Sequence, residues 1–262
     1  MAVLQFKFDE SYDNRVMSVG GWIGDELEWK RLESTWQRRI DFENSHNRDD
    51  QQITRFHASH MNCKDGEFEN WDKDMCLKFS KKLIHLLSKR RMGSISIACD
   101  MDAIREVFPN GDFEGMIRRT YVLCFKVLMI EIARVLREYF LGDHVLLIHD
   151  HGNWDVQALE AYNLVIDEPA WEPRLLFEGL LPRTGSQDVG LQAADMIAYE
   201  VFKGIRARTK SPEAAMRGAV QEMRNKEIAM ITKWIDLPAA NALFRYMKES
   251  GKYPDLELKG VT

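Results

Sequence analysis

The chain has 262 residues, of which 45% are hydrophobic, 29% charged and 10% aromatic, a composition that excludes disordered, collagen-like and low-complexity proteins. Its formal net charge of -5 means that nucleic acid would have to be bound by local basic clusters, for example around Lys81 and Arg90. The longest apolar runs are far shorter than the roughly 18 residues of a membrane helix, and the first residues lack signal-peptide character. We therefore expect a cytoplasmic protein with no membrane partner.

The first third of the chain predicts a β-hairpin followed by a helix. Residues 3–8 alternate with period two, and residues 15–23 have strand-like composition with Gly20 and Gly21 near their end. Asp25 is placed to cap the helix that follows. The apolar residues that recur at helical spacing, and should face the core, are Leu27, Trp29, Leu32, Trp36 and Ile40.

The next segment predicts two strands with a helix between them. Residues 53–57 form a short third strand candidate, residues 74–91 a helix, and residues 94–99 the next strand. The apolar stripe expected on this helix consists of Leu77, Leu83, Ile84, Leu86 and Leu87. The four cysteines of the chain form no C-x-x-C pair, so we expect reduced thiols rather than zinc ligands.

The middle of the chain predicts a long helix and a buried parallel strand. Apolar residues recur at three-to-four spacing over residues 113–139, where Asp112 is placed to cap the helix and Gly142 to end it. Residues 145–148 form an unbroken apolar run between this helix and a helical pattern at residues 155–165. Such a run is typical of a strand that is covered on both faces.

The remaining segments predict a short strand at residues 175–177 and then a loop that contains Pro182 and Gly185. A helix at residues 188–206 follows, and residues 212–235 and 239–250 are expected to be helical, with a polar tail. The fold class is therefore α/β, with a partly parallel mixed sheet of about five or six strands that starts with a β-hairpin and is flanked by helices. No repeat or linker divides residues 1–262, which predicts a single domain with a helical extension from about residue 207.

Three aspartates are candidates for one site. Asp150 leaves the end of the buried strand, and Asp9 ends the first strand, although its parity with Gln5 and Lys7 also fits a solvated face. Asp195 lies within the apolar stripe of its helix, where an inward carboxylate needs a cation, a hydrogen-bond set or a metal. Hard carboxylate oxygens favour Mg²⁺ or Mn²⁺, and two such ions support phosphodiester cleavage.

The motifs around these residues resemble the bacterial and phage proteins grouped as domain of unknown function 3800. The matching pieces are Phe8-Asp9-Glu10-Ser11, Gly20-Gly21, Phe56-His57-Ala58, the strand ending at Asp150, and the helix segment from Gly190 to Ala198. Tyr12 departs from the pattern, because the family often has glycine after Asp-Glu-Ser. The resemblance covers about residues 6–198.

The resemblance implies an RNase H-like domain and a metal-dependent nuclease. Asp9, Asp150 and Asp195 would hold the metal, Glu10 would complete the site or support it, and His57 would transfer a proton or position substrate. The substrate stays open between DNA, RNA, tRNA and a nucleotide, as does a role in phage defence. A protein partner or a homo-oligomer also fits the sequence.

Other interpretations of the same residues stay open. His57 and His60 have the H-x-x-H spacing of a zinc pair on a helix, and His149-Asp150 spells the doublet of HD-type phosphohydrolases. A second class of function is a non-catalytic RNase H-like module that binds nucleic acid or a protein. Ions held by Asp9, Asp150 and Asp195 would favour the enzyme.

Overall fold

A computed structural model describes residues 2–107, 113–185, 188–215 and 217–249. The strands of this part form one six-stranded sheet in the order β5-β4-β1-β2-β3-β6. They are β1 (Val3–Tyr12), β2 (Val16–Gly24), β3 (Gly93–Asp100), β4 (His144–Asp150), β5 (Phe177–Arg183) and β6 (Ala229–Ile235). The prediction of an α/β fold with a mixed sheet that starts with a hairpin is confirmed.

The helices lie between and after the strands along the chain and cover both faces of the sheet. They are α1 (Glu26–His46), α2 (Ala58–Cys63), α3 (Lys73–Ser88), α4 (Met101–Val107), α5 (Phe113–Tyr139), α6 (Asp155–Ile166), α7 (Gly190–Lys210), α8 (Gly218–Asn225) and α9 (Leu237–Glu249). None of the helices in the described ranges is long and apolar enough to cross a membrane.

The sheet combines antiparallel and parallel pairs. Strands β1, β2 and β3 are antiparallel neighbours, whereas β4 runs parallel to β1, and β5 runs parallel to β4. The carboxyl ends of β1, β4 and β5 therefore lie at the same edge of the sheet. In open α/β sheets this edge is where ligands bind.

The two faces of the sheet are covered by different layers. Helix α5 packs on one face, and its buried residues join those of β1 and β4 in a core that includes Phe8, Phe125 and Leu128. Helices α1, α3 and α7 cover the other face with a second core that includes Trp22, Trp29 and Trp36. We call these the α5 face and the α7 face.

The first helix begins where the sequence predicts, because the Asp25 carboxylate accepts a hydrogen bond from the Glu28 N–H at 2.8 Å. Gly142 follows the end of α5 with a φ of 86°, a backbone conformation that glycine adopts without strain. Leu27 and Leu77 were expected in the core, but 55% and 48% of their surfaces are exposed. Asp112, expected as the cap of α5, and the tail from Ser250 lie outside the described residues.

Two strand assignments from the sequence are wrong. Residues 53–57 form no strand, because side chains rather than a neighbouring strand accept their backbone N–H groups. The strand expected at residues 175–177 begins at Phe177 and runs to Arg183, so Pro182 lies in an edge strand rather than a loop. Proline is tolerated there because an edge strand leaves half of its N–H groups without a sheet partner.

The end of the chain differs from the helical prediction for residues 212–235. Among the described residues of this range, only Gly218–Asn225 is helical. Ala229–Ile235 is β6, which runs parallel to β3 at the side of the sheet opposite β5. Most of β6 is partly or fully exposed, so its side chains give no clear burial pattern that would mark a strand in the sequence.

Candidate acidic site at the strand ends

The register between β1 and β4 brings Asp9 and Asp150 side by side. Phe8 pairs with His149 in the parallel ladder, and the two rings stack at 5.8 Å on the α5 face. The next residue of each strand, Asp9 and Asp150, therefore points to the opposite face, which α7 covers. Asp9 is not the last residue of its strand, because β1 continues to Tyr12.

The parity of Asp9 with Lys7 also fitted a solvated face, but the α7 face around Lys7 is covered by protein. Only 3% of Lys7 is exposed, and its ammonium lies 2.5 Å from Glu33 and 2.7 Å from Asp188. These ion pairs join β1 to α1 and to the residues just before α7. The side chain also lies over the ring of Trp29, with 4.6 Å between Nζ and the ring centroid.

Helix α7 lies close to the sheet because small residues meet at the contact. The Ser18 hydroxyl and the Trp22 indole N–H donate hydrogen bonds to the Ala198 and Ala193 carbonyls, at 3.0 and 2.8 Å. Gly20 lies directly opposite Asp9 in the hairpin. A Cβ atom at Gly20 would come within 2.3 Å of the Ser96 hydroxyl, so this position needs glycine. This packing places Asp195, of which 9% is exposed, beside the ends of β1 and β4.

Each aspartate accepts a hydrogen bond from a backbone N–H. Asp9 accepts from Glu10 at 2.8 Å, and Asp150 accepts from Gly185 at 3.0 Å, in the segment between β5 and α7. Asp195 accepts from Ala58, the first residue of α2, at 2.7 Å. The three carboxylates are therefore held by three different segments that converge at this edge of the sheet.

Burial and mutual repulsion raise the pKa values of these carboxyl groups. Desolvation is the largest cause for each, and it raises the pKa of Asp195 to about 7 and that of Asp9 well above its usual range. The negative charges of Glu10, Asp195 and Asp150 raise the pKa of Asp9 further, and burial also raises the pKa of Asp150. These carboxylates thus lie close enough to repel one another, as expected for one site.

Glu10 adds a fourth carboxyl group from the other side of β1. Its position in the strand places it on the α5 face, near Tyr121 of α5, whose buried hydroxyl has no hydrogen-bond partner among the described residues. Burial and the charge of Asp150 raise the pKa of Glu10 to about 8. Glu10 is therefore largely protonated near neutral pH when the neighbouring carboxylates have no bound cation.

His57 lies beside Asp195. Its Nδ1 is 3.5 Å from the Asp195 carboxylate, at the outer limit of hydrogen bonding, and 3.2 Å from the Ser59 hydroxyl. Burial lowers the pKa of His57 to about 4, with smaller contributions from its neighbours His60 and Arg55. The imidazole is therefore neutral at pH 7, and the contact with Asp195 is not an ion pair.

The geometry gives little support to the two alternative interpretations of the histidines, a zinc pair and an HD-type doublet. The rings of His57 and His60 stack face to face at 4.1 Å with planes 7° apart. His149 and Asp150 alternate along a strand, so their side chains point to opposite faces of the sheet, unlike the doublet of an HD-type phosphohydrolase. His149 instead stacks on Phe8, and its Nδ1 lies 3.0 Å from the Asp150 carbonyl.

Two further residues were missed by the sequence analysis. Gln192 is buried, and its carbonyl oxygen accepts from the Phe56 N–H at 2.8 Å and from the Trp36 indole at 3.1 Å, while its amide donates to the Gly185 carbonyl at 3.2 Å. It thus joins the segments that hold Asp195 and Asp150. Arg55 is exposed at the rim of the site, and its charge lowers the pKa of both Asp150 and Asp195. Gln192 lies in the quoted α7 motif, whereas no pattern marked Arg55.

The donor types fit a hard divalent cation, but the side chains do not converge on one point. Within the part of the chain that the structure describes, no three His, Cys, Asp or Glu side chains are grouped so that they could hold a metal ion. Each aspartate instead faces a backbone N–H. An ion bound by all three would require their carboxylates to turn toward one another.

Comparisons with protein-family models and with curated proteins found no match for this chain. The resemblance to the family of unknown function therefore stays a prediction from the motifs.

Proposed function

We propose that this protein is a divalent-metal-dependent phosphodiesterase that acts on nucleic acid. In this proposal, Asp9, Asp150 and Asp195 hold Mg²⁺ or Mn²⁺, and Glu10 completes or supports the site. The observation that supports it most is that β1, β4 and α7 bring three carboxylates to the carboxyl edge of one sheet, where the charges of Asp150 and Asp195 act on Asp9. The proposal includes membership of the RNase H-like family of unknown function 3800.

The energetics of the cluster favour a bound cation. Buried carboxylates that repel one another are costly unless they bind protons or a metal, and their raised pKa values reflect that cost. Oxygen-only donors are the set that Mg²⁺ and Mn²⁺ prefer. Bound there, a divalent ion would lower the pKa of an attacking water and neutralise the leaving oxyanion.

The chain's own residues would support this chemistry in different ways. Glu10, with its pKa near 8, can hold a proton beside the cluster at neutral pH. His57 is neutral, so its imidazole can accept a proton from a reacting group or position substrate beside Asp195. A cytoplasmic location is part of the proposal, because Cys63, Cys76, Cys99 and Cys124 are all free thiols.

The test combines metal binding with cleavage. Binding of Mn²⁺ is measured by calorimetry, and hydrolysis is measured on bis(p-nitrophenyl) phosphate, DNA, RNA and tRNA. We expect Asp150→Asn and Asp195→Asn to lose activity by orders of magnitude and to weaken Mn²⁺ binding. Asp74→Asn is the matched control, because that carboxylate is exposed on α3 and pairs only with Lys78.

Two outcomes would decide against the proposal. Folded Asp150→Ala and Asp195→Ala variants that cleave as fast as the parent would show that these residues do not carry the reaction. A parent protein that binds nucleic acid but cleaves none of these substrates with Mn²⁺ would favour the non-catalytic binding module.

A further inference from the structure

Arg55 lies on a loop that is tied down on both sides of it. Residues 53–57 form no strand, yet the Ile53 N–H donates to the Asn44 amide oxygen at 2.9 Å. The Thr54 N–H and hydroxyl both donate to the Glu67 carboxylate, at 2.7 and 2.5 Å. On the other side, the Phe56 N–H donates to Gln192 at 2.8 Å. The backbone that carries Arg55 is therefore fixed by partners from α1, α7 and the segment after α2.

The Arg55 side chain itself is exposed, and it has no ion-pair partner in the part of the chain that the structure describes. Within the described ranges, no carboxylate oxygen lies within 4.0 Å of its guanidinium, and only its backbone N–H bonds to Glu67. Its charge nevertheless acts on Asp150, Asp195 and His57. Arg55 thus places an unpaired cation beside the carboxylates without neutralising them by direct contact.

Three buried or paired cations, Lys7, Arg206 and Arg217, differ from Arg55 in this respect. Lys7 is buried and occupied by Glu33 and Asp188. Arg206 lies 2.6 Å from Asp13, beyond the end of β1, and Arg217 binds Glu200 of α7 at 2.6 Å. Arg55 is exposed, fixed at its backbone and free to bind an anion that approaches the carboxylates.

We propose that Arg55 binds a backbone phosphate of the nucleic-acid substrate and holds it against the carboxylate site. This inference rests on the proposed function, and it adds the side of the site from which the strand approaches. A guanidinium presents paired N–H donors that match two oxygens of one phosphate. The fixed backbone lowers the entropy that is lost when the side chain binds.

The experiment measures binding separately from cleavage. Fluorescence anisotropy follows a short fluorescein-labelled single-stranded DNA, and the corresponding RNA, with Ca²⁺ present to neutralise the carboxylates. We expect Arg55→Gln to weaken binding about tenfold and to lower the slope of log affinity against log salt by about 0.7, the value for one phosphate contact on a single strand. Arg55→Lys should fall between this variant and the parent, because lysine keeps the charge but loses the fork.

Arg38→Gln is the matched control. Arg38 is exposed on α1, and among the described residues its side chain bonds only to the Ser34 carbonyl, so its loss should change affinity less than about twofold. A second control replaces the probe with a methylphosphonate DNA, whose neutral backbone should remove the difference between the parent and Arg55→Gln.

Each outcome either supports or overturns the proposed phosphate contact of Arg55. Equal losses in Arg55→Gln and Arg38→Gln, an Arg55 effect that persists on the neutral backbone, or a parent that binds neither DNA nor RNA would overturn the inference. If the Arg55 effect appears but the parent cleaves nothing with Mn²⁺, the phosphate contact stands and the proposed catalytic function fails. If the parent cleaves and Arg55→Gln binds normally, the proposed catalytic function stands and the phosphate contact of Arg55 fails.

Discussion

The two faces of the sheet are built from different kinds of contact. On the α5 face, large apolar side chains of β1 and α5 interlock, as in the tilted pair of Phe8 and Phe125 with ring centroids 5.2 Å apart. On the α7 face at the same level, Ser18, Gly20 and Ser96 let the helix backbone come close. Both faces bury an apolar core, but beside the site the α5 face supplies apolar contacts, whereas the α7 face adds polar groups at fixed positions.

The α7 face contains most of the polar atoms that define the candidate site. Gln192 links the segment before α2 to the segment before α7, and each of these segments donates one N–H to a site aspartate. A buried hydrogen-bond network of this kind specifies one arrangement of its members. The comparison predicts that damage to the α5 face reduces stability, whereas damage to the α7 face changes the site.

The largest loss of stability is expected on the α5 face. Leu128 of α5 is 1% exposed within the apolar core, so Leu128→Ala removes buried methyl groups and leaves a cavity. We expect the free energy of unfolding to fall by about 2–5 kcal/mol, measured by denaturant unfolding. The affinity of the remaining folded protein for Mn²⁺ should stay unchanged.

Leu141→Ala is the control for this variant. Leu141 is 84% exposed, so its loss should change stability by less than about 0.5 kcal/mol. A Leu128→Ala protein that keeps its stability but loses Mn²⁺ affinity would contradict the division of tasks between the faces.

A smaller loss of stability, with a clear effect on the site, is expected for Gln192→Leu. The substitution leaves the Phe56 N–H, the Trp36 indole and the Gly185 carbonyl without a buried partner. We expect it to cost about 1–3 kcal/mol. Hydrogen exchange at the Phe56 and Ala58 amides should become faster, and Mn²⁺ affinity should fall.

Gln192→Glu separates the two halves of this network, because glutamate keeps the acceptor for Phe56 but loses the amide donor to Gly185. Gln37→Leu serves as the surface control, since Gln37 bonds only to Asp41 along α1. Unchanged amide exchange at Phe56 and Ala58 in Gln192→Leu would show that Gln192 does not hold this segment.

The fold could be predicted wherever burial imposed a period on the sequence. Strand β4 is covered on both faces, so its apolar run at residues 145–148 identified it as a parallel strand. Strand β6 was wrongly predicted as helical, because it lies at an exposed edge of the sheet and carries no such apolar run. The prediction that Leu27 and Leu77 face the core was wrong. Helical spacing identifies an apolar stripe, but the width of the neighbouring layer decides which residues at the margin of the stripe are covered.

Asp150 and Asp195 could be predicted as candidates because a strand end and an inward helical carboxylate leave a sequence pattern, whereas Asp9 lies within β1 and not at its end. Their backbone donors could not, since Ala58 and Gly185 contribute N–H groups that every residue except proline has. Arg55 was missed for a related reason. A single exposed arginine in a loop has no periodicity, and only tertiary structure brings it near Asp150 and Asp195.

The smallest effect, and the one that compares the two faces most directly, is the dependence of stability on pH without metal. The pKa of Asp195 on the α7 face is raised to about 7, and that of Glu10 on the α5 face to about 8. Above the ordinary carboxyl values of 3.8 and 4.5, the folded chain therefore holds more protons than the unfolded chain. Stability falls as pH rises through this window.

The measurement is thermal unfolding in a chelating buffer between about pH 6.5 and 8, because below 6.5 the lowered pKa of His57 acts in the opposite sense. We expect the parent to lose about 1 kcal/mol or more over this range, and Asp195→Asn and Glu10→Gln each to reduce the loss. Asp74→Asn, whose carboxylate is exposed, should follow the parent. If Asp195→Asn is instead less stable than the parent at pH 8, its charge is compensated by a cation such as Arg55. If only Glu10→Gln flattens the profile, the repulsion is confined to Glu10 and its neighbours Asp9 and Asp150, and Asp195 is not part of the cluster.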